Sequence, residues 1–144
     1  MNKGIYFLVF SNESAQISTG SLGNIHFSEG WHIYAGSALG SGGLGRVIRH
    51  FNLSSDKDKK PHWHIDYLLL SESFHLLYAL TAKTTQKLEC EAAQRAGGEC
   101  VLGFGCTDCG CTSHLFYRKY EPFLELQKIF LSLGLLPVQI FPEK

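Results

Sequence analysis

Positions 36–45 read Gly-Ser-Ala-Leu-Gly-Ser-Gly-Gly-Leu-Gly, five glycines and three small residues in ten. A segment so poor in side chains is expected to be a loop that turns tightly or lets its backbone approach a ligand. It divides two kinds of structure. Upstream, residues 4–10 are aromatic and branched, and Gly20, Gly23 and Gly30 punctuate short runs ending in Trp31-His32-Ile33-Tyr34, which predicts two or three antiparallel strands. Downstream, Leu44, Val47, Ile48 and Phe51 recur at i, i+3, i+4 and i+7, one face of a short helix, with Arg46 and His50 together on the opposite face.

Beyond that helix, residues 52–61 are polar and close on Pro61, a surface loop. Residues 64–70 read as a buried strand and 74–81 as another. Residues 86–96 fit a helix whose small apolar face is Leu88, Ala92, Ala93 and Ala96, ended by Gly97-Gly98. A short strand over 114–117 follows a cysteine-rich turn. Pro122 then suits a first helical position, and 123–133 makes a helix apolar around most of its circumference, stopped by Gly134 and buried in the fold or in a partner. Strands first, with helices interspersed in no regular rhythm, imply an α+β fold: a small, mainly antiparallel β-sheet flanked by helices, with residues 1–144 as a single domain and no internal repeat.

A chain of 144 residues buries roughly two-thirds of its unfolded surface, so it needs no disulfide staple. Lys plus Arg and Asp plus Glu are both 13, which excludes a protein that coats nucleic acid through bulk positive charge. A local patch remains: Arg46, Arg49, Lys57, Lys59 and Lys60 against Asp56 and Asp58 leave that stretch net positive, a footprint for a phosphate backbone. The apolar run over 5–10 is too short for a signal peptide or a membrane span, and no later run approaches spanning length. Of five cysteines, an odd number, three fall at 106, 109 and 111, which suits reduced thiols or a metal better than a disulfide framework. A cytoplasmic protein with no membrane partner is expected.

Several residues could carry chemistry. Glu91 lies four residues from both Lys87 and Arg95, a salt-bridged solvent face, whereas Glu89 projects inward among Ala92, Ala93 and Ala96. In a strand, His62, His64 and Asp66 would share one face and could ligate metal; the preferred reading is that His64 and Asp66 satisfy each other or the backbone while Trp63 is buried on the other face. Cys106, Cys109, Cys111 and His114 could bind Zn²⁺ as a Cys₃His site, with buried reduced cysteine as the alternative.

The tripeptides Gly4-Ile5-Tyr6 and Tyr34-Ala35-Gly36, the glycine-rich loop and the Arg46/His50 pair on the next helix together resemble the GIY-YIG nuclease superfamily. Tyr34 to Gly40, His62 to Tyr67, Glu89-Cys90, and Cys109-Gly110-Cys111 before Ser113 to Tyr117 are similar to a small microbial branch of it. The resemblance implies an endonuclease that hydrolyses phosphodiesters on one Mg²⁺ or Mn²⁺. Tyr6 would help activate the attacking water, Arg46 would stabilise the pentacovalent phosphate, Glu89 would hold the metal, and Tyr34 and His50 would support them. These five should line one concave surface beside the glycine-rich loop.

Nucleic acid, expected to be DNA, would lie against Gly36, Ser37, Arg49, Lys57, Lys59, Lys60, His62 and His64. A DNA-repair setting is expected, as a homodimer or in a larger assembly docked through the apolar C-terminal helix. No asparagine follows Glu89, where many superfamily members use one. That keeps a second reading open: a non-catalytic nucleic-acid or protein-interaction module with the same fold, stabilised by structural Zn²⁺.

Overall fold

The computed structural model describes residues 2–105 and 111–143. The apolar run near the start becomes the middle of a sheet. Strand β1 (Gly4–Asn12) pairs antiparallel with β4 (Gly30–Ala38) on one side and with β5 (Phe74–Lys83) on the other. Two short antiparallel strands complete the order β6-β4-β1-β5-β7: β6 (Leu115–Arg118) and β7 (Pro137–Ile140). A separate hairpin of β2 (Ala15–Ser18) and β3 (Asn24–Phe27) lies in the connection between β1 and β4. The stretch before the glycine-rich loop therefore holds four strands, of which two enter the main sheet.

Alternation along β1 explains why the run is apolar throughout. Ile5, Phe7 and Val9 face helices α3 (Glu89–Ala96) and α4 (Phe123–Ser132), packing with Ala92, Ala93, Ala96, Leu126, Ile129 and Phe130. Tyr6, Leu8 and Phe10 face α1 (Gly45–Asp56) and α2 (His64–Leu69), packing with Val47, Phe51, Ile65, Leu68 and Leu69. Four helices thus flank the sheet on both faces, which is the α+β arrangement expected from the sequence.

Three local expectations are corrected. Residues 64–70 form a helix, not a strand: Ile65, Leu68 and Leu69 are buried at i, i+3 and i+4, and the Asp66 carboxylate accepts the backbone N–H groups of His62 and Trp63 at 2.8 and 3.0 Å. His62, His64 and Asp66 consequently share no strand face. In α1 the buried side is Val47, His50 and Phe51, while Ile48 is 49% exposed, so His50 faces the core rather than solvent. α1 also runs on to Asp56, inside the stretch read as loop, and ends at Lys57, whose φ of 49° is left-handed. The strand β7 had no sequence counterpart. Among the described residues, no helix is long and apolar enough to cross a membrane.

Candidate active-site cleft

The two glycines of the tripeptide motifs are required by contacts across the sheet. Tyr6 on β1 pairs with Gly36 on β4, and a Cβ on Gly36 would overlap the Tyr6 ring and hydroxyl. Gly4 lies against the carbonyl of Ala82 on β5, where a Cβ would also overlap. The glycine-rich loop is tied to the start of the chain, because the Leu44 N–H donates to the Asn2 carbonyl at 2.7 Å. That tie sets where α1 begins, and so where Arg46 and His50 project.

β6 pairs with β4 only from Trp31 to Tyr34, leaving the last residues of β4 at an open rim. A cleft of about 260 Å³ occupies this rim. Tyr6, Tyr34, Gly36, Ser37, Arg46, His50, His62, His64 and Glu89 all line it, together with Trp63, Gly105 and His114. α3 packs against the opposite face of the sheet from α1, yet its first residue, Glu89, reaches the same cleft as Arg46. The five reacting residues expected from the sequence, Tyr6, Tyr34, Arg46, His50 and Glu89, are thus brought together beside the glycine-rich loop.

The electrostatics follow from burial. Tyr6, 2% exposed, hydrogen-bonds His50 Nε2 through its hydroxyl at 2.9 Å. Burial holds its phenol well above the usual range, nearby Tyr34 adds to this, and Arg46 opposes it. His50 is pushed down to about 3, first by burial and then by the positive charges of Arg46 and Arg49. Both partners are therefore neutral at physiological pH. Arg46 donates from Nη1 to the Ser37 carbonyl at 2.8 Å, and its guanidinium lies 4.8 Å from the centre of the Trp63 ring. Arg49 lies 4.4 Å from the same ring, so Trp63 carries two cations.

Glu89 has one carboxylate oxygen, Oε2, buried without a hydrogen-bond partner among the described residues. A lone hard anionic oxygen facing a polar cleft suits Mg²⁺ or Mn²⁺, which take few protein carboxylates and fill the remaining positions with water. Glu91 pairs with Arg95 at 3.2 Å on the solvent side, the division expected of the two glutamates. His64 accepts the Gly105 N–H at Nδ1, 2.9 Å away, and burial lowers its basicity.

The basic stretch divides. Lys59 and Lys60 are exposed, and Arg49 and Lys59 flank a shallow depression shared with Asp56 and Asp58. Lys57, expected to meet nucleic acid, instead donates to the carbonyls of Leu69 and Ser71 at 2.8 and 3.4 Å, which clamps α2 to the end of α1.

Of the expected Zn²⁺ ligands, Cys106 and Cys109 lie outside the described residues. Cys111 and His114 gather with Cys90, which the sequence marks only as the neighbour of Glu89. One ligand atom from each of the three lies within 4.8 Å of the others, a group that could hold a metal ion. In the structure Cys90 and Cys111 are joined as a disulfide, with Cα atoms 6.3 Å apart, so a metal would take their sulfurs only once that bond is reduced. Their pairing crosses 21 residues, too far for any local pattern to signal it.

Fold and cleft together define a small α+β domain with a polar, cation-lined site at the rim of an antiparallel sheet. The chain belongs to the family described as Domain of unknown function DUF123, whose model matches residues 5–135. No curated protein and no solved structure matches it.

Proposed function

We propose that the chain is a divalent-metal-dependent endonuclease acting on nucleic acid, DNA foremost, through the rim cleft. The observation that carries this reading is the buried, unpartnered Glu89 Oε2 in the same cleft as Arg46 and the Tyr6–His50 pair. Mg²⁺ or Mn²⁺ bound at Glu89 would supply Lewis acidity to the phosphate oxygens. Zn²⁺, where bound, belongs to the thiolates and takes no part in breaking the bond.

The protein's own groups then have distinct tasks. With the imidazole proton on Nδ1, the Tyr6 hydroxyl donates to His50 Nε2 and leaves its oxygen lone pairs to accept a hydrogen bond from the attacking water. Burial disfavours a free phenolate, and burial with the charges of Arg46 and Arg49 disfavours an imidazolium, so the pair stays neutral and orients the water, whose proton passes by way of solvent to the leaving oxygen. The water oxygen forms a bond to phosphorus as the opposite P–O bond breaks. Arg46, held by the Ser37 carbonyl and by Trp63, sets a fixed positive charge beside the negative charge that develops on the phosphate. Arg49, Lys59 and Lys60 extend positive charge away from the cleft, along the path a phosphate backbone would take.

A second reading has its own support. The stacking of Arg46 and Arg49 on Trp63 builds a cation–aromatic surface suited to nucleic acid whether or not a bond is cut. Cleavage of single-stranded, branched and duplex DNA, with and without Mg²⁺ or Mn²⁺ and beside Glu89→Ala, separates the two. Metal-dependent products lost in Glu89→Ala support the enzyme. Binding to these DNAs with no cleavage of any of them supports the module.

A further inference from the structure

The cluster of Cys90, Cys111 and His114 has no task in the cleft chemistry. We propose that in the reduced protein these three side chains hold one structural Zn²⁺ ion, which pins the first turn of α3, and with it Glu89, to the segment leading into β6. The donor set chooses the metal: two thiolates and an imidazole select a borderline-soft divalent ion such as Zn²⁺ over Mg²⁺ or Ca²⁺.

One spacing agrees with that choice, while the two sulfurs, joined in the structure, must part on reduction. With Zn–S about 2.3 Å and Zn–N about 2.0–2.1 Å in a tetrahedron, a sulfur and a nitrogen ligand stand about 3.5 Å apart. Cys90 Sγ and His114 Nε2 are 3.6 Å apart.

The imidazole is also oriented for the task. His114 Nδ1 lies 3.0 Å from the Ala35 carbonyl oxygen, which can only accept, so the ring proton sits on Nδ1 and the Nε2 lone pair is directed at the sulfurs. A backbone carbonyl on the far nitrogen is the usual second partner of a metal-bound histidine. Here that carbonyl belongs to β4, between Tyr34 and Gly36, so the ion would join the strand of the second tripeptide to the helix that carries Glu89.

α3 has a need for such a tie. Leu88 provides no side-chain cap, so among the described residues this eight-residue helix starts without one. Cys90 lies in its first turn. The fourth position on the ion falls to water.

The presence of the ion stands apart from the nuclease reading; only its service to Glu89 as a metal ligand rests on that reading. The test uses the full chain, purified under reducing conditions and titrated with Zn²⁺ against a chromophoric chelator, with Co²⁺ as a spectroscopic substitute. One tight equivalent and thiolate-to-cobalt charge-transfer absorption are expected. Cys90→Ser and Cys111→Ser should each weaken Zn²⁺ by more than about 100-fold, beyond what loss of an outer partner costs. Cys100→Ser, which changes the one free cysteine among the described residues, should bind as the parent does.

Electron paramagnetic resonance of added Mn²⁺ reads the second half of the proposal, since Mn²⁺ affinity should fall in Cys90→Ser and not in Cys100→Ser. Where a serine variant fails to fold, the cobalt spectrum of the parent still decides. A spectrum without thiolate bands, Zn²⁺ bound no more tightly than in Cys90→Ser, or a Cys90–Cys111 disulfide in protein isolated under reducing conditions would each overturn the site. Tight Zn²⁺ without any Mn²⁺ binding would uphold the zinc site and count against the nuclease reading alone.

Discussion

Tyr6 occupies the space that a side chain on Gly36 would need: the two residues face each other across β1 and β4, and a Cβ at position 36 would overlap the phenol. Gly36→Ala must therefore move the ring or the strand. We expect a loss of about 1–3 kcal/mol from overpacking, with Tyr6 displaced from His50. Urea melts of Gly36→Ala, Tyr6→Ala and the double variant check it. The alanine at 36 should cost much less once the ring is gone, and strictly additive losses would refute the contact.

Removing charge from the cleft should separate chemistry from binding. Arg46→Ala is expected to lower metal-dependent cleavage by about 100- to 1,000-fold, the usual loss when a fixed group opposing transition-state charge is deleted. Glu89→Ala should abolish it while leaving DNA affinity unchanged or slightly raised, because a negative charge beside phosphate has gone. Single-turnover rates alongside anisotropy titrations measure both. A Glu89→Ala protein that still cleaves at the parent rate would end the assignment.

Arg49 should act on binding alone. Its guanidinium stacks on Trp63 at the cleft's edge and is exposed, so Arg49→Ala is expected to weaken binding to all DNA sequences alike and to reduce the salt dependence by about one unit of slope. Affinities measured across a salt series test this, and an unchanged slope would remove Arg49 from the phosphate path.

The stability of the fold should fall as pH drops below about 6.5, with His32 as one cause. This imidazole is 2% exposed, bonded through Nδ1 to Asn12 Oδ1 at 2.8 Å, and pushed down to about 4 by burial. Between its unfolded value near 6.5 and its folded value, the unfolded chain binds a proton that the folded chain refuses. The resulting loss approaches about 3 kcal/mol for this residue by pH 4 and levels off below that. His50, pushed down further, adds in the same sense. Urea midpoints from pH 7 to 5 should slope less steeply in His32→Asn than in the parent.

Arg118 ties three elements near the C-terminal helix. It is 7% exposed, donates from Nε and Nη2 to the two carboxylate oxygens of Glu125 on α4 at 3.0 and 2.8 Å, and also reaches the Ala96 and Gly97 carbonyls at the end of α3. Arg118→Leu leaves that carboxylate and those carbonyls without their donor, for an expected loss of about 3–5 kcal/mol. A thermal or urea melt reads it directly, and a change below about 1 kcal/mol would mean that the pairing is solvent-screened.

Legibility in the sequence followed the range of the interactions. The central strand, the glycine-rich loop and the inward orientation of Glu89 were legible because alternation, side-chain poverty and helical spacing are local. The same locality misled at 64–70, where seven residues satisfy both a strand and a helix pattern and the decision lies with the Asp66 carboxylate folding back on His62 and Trp63. It misled again at His50, since the stripe through Ile48 and the one through His50 differ by a small rotation of α1, and the Tyr6 hydroxyl decides between them. β7 and the approach of Cys90 to Cys111 depend on partners 57 and 21 residues away, which no local pattern records.

The position of β1 in the sheet order also governs how the chain can assemble. Its register joins Gly4 to Ala38 on one side and to Lys83 on the other, so β1 gains its second neighbour only after β2, β3, β4, α1 and α2 have been made. Until then β1 and β4 form a ribbon with two bare edges, because β6 follows β5 in the chain, and the β1 edge is apolar from Ile5 to Phe10. Closing such long loops is slow relative to helix formation, so the pairings of β5 with β1 and of β6 with β4 are expected to come late in folding. On the ribosome, the interval before β5 emerges is when this chain most needs protection from edge-to-edge aggregation.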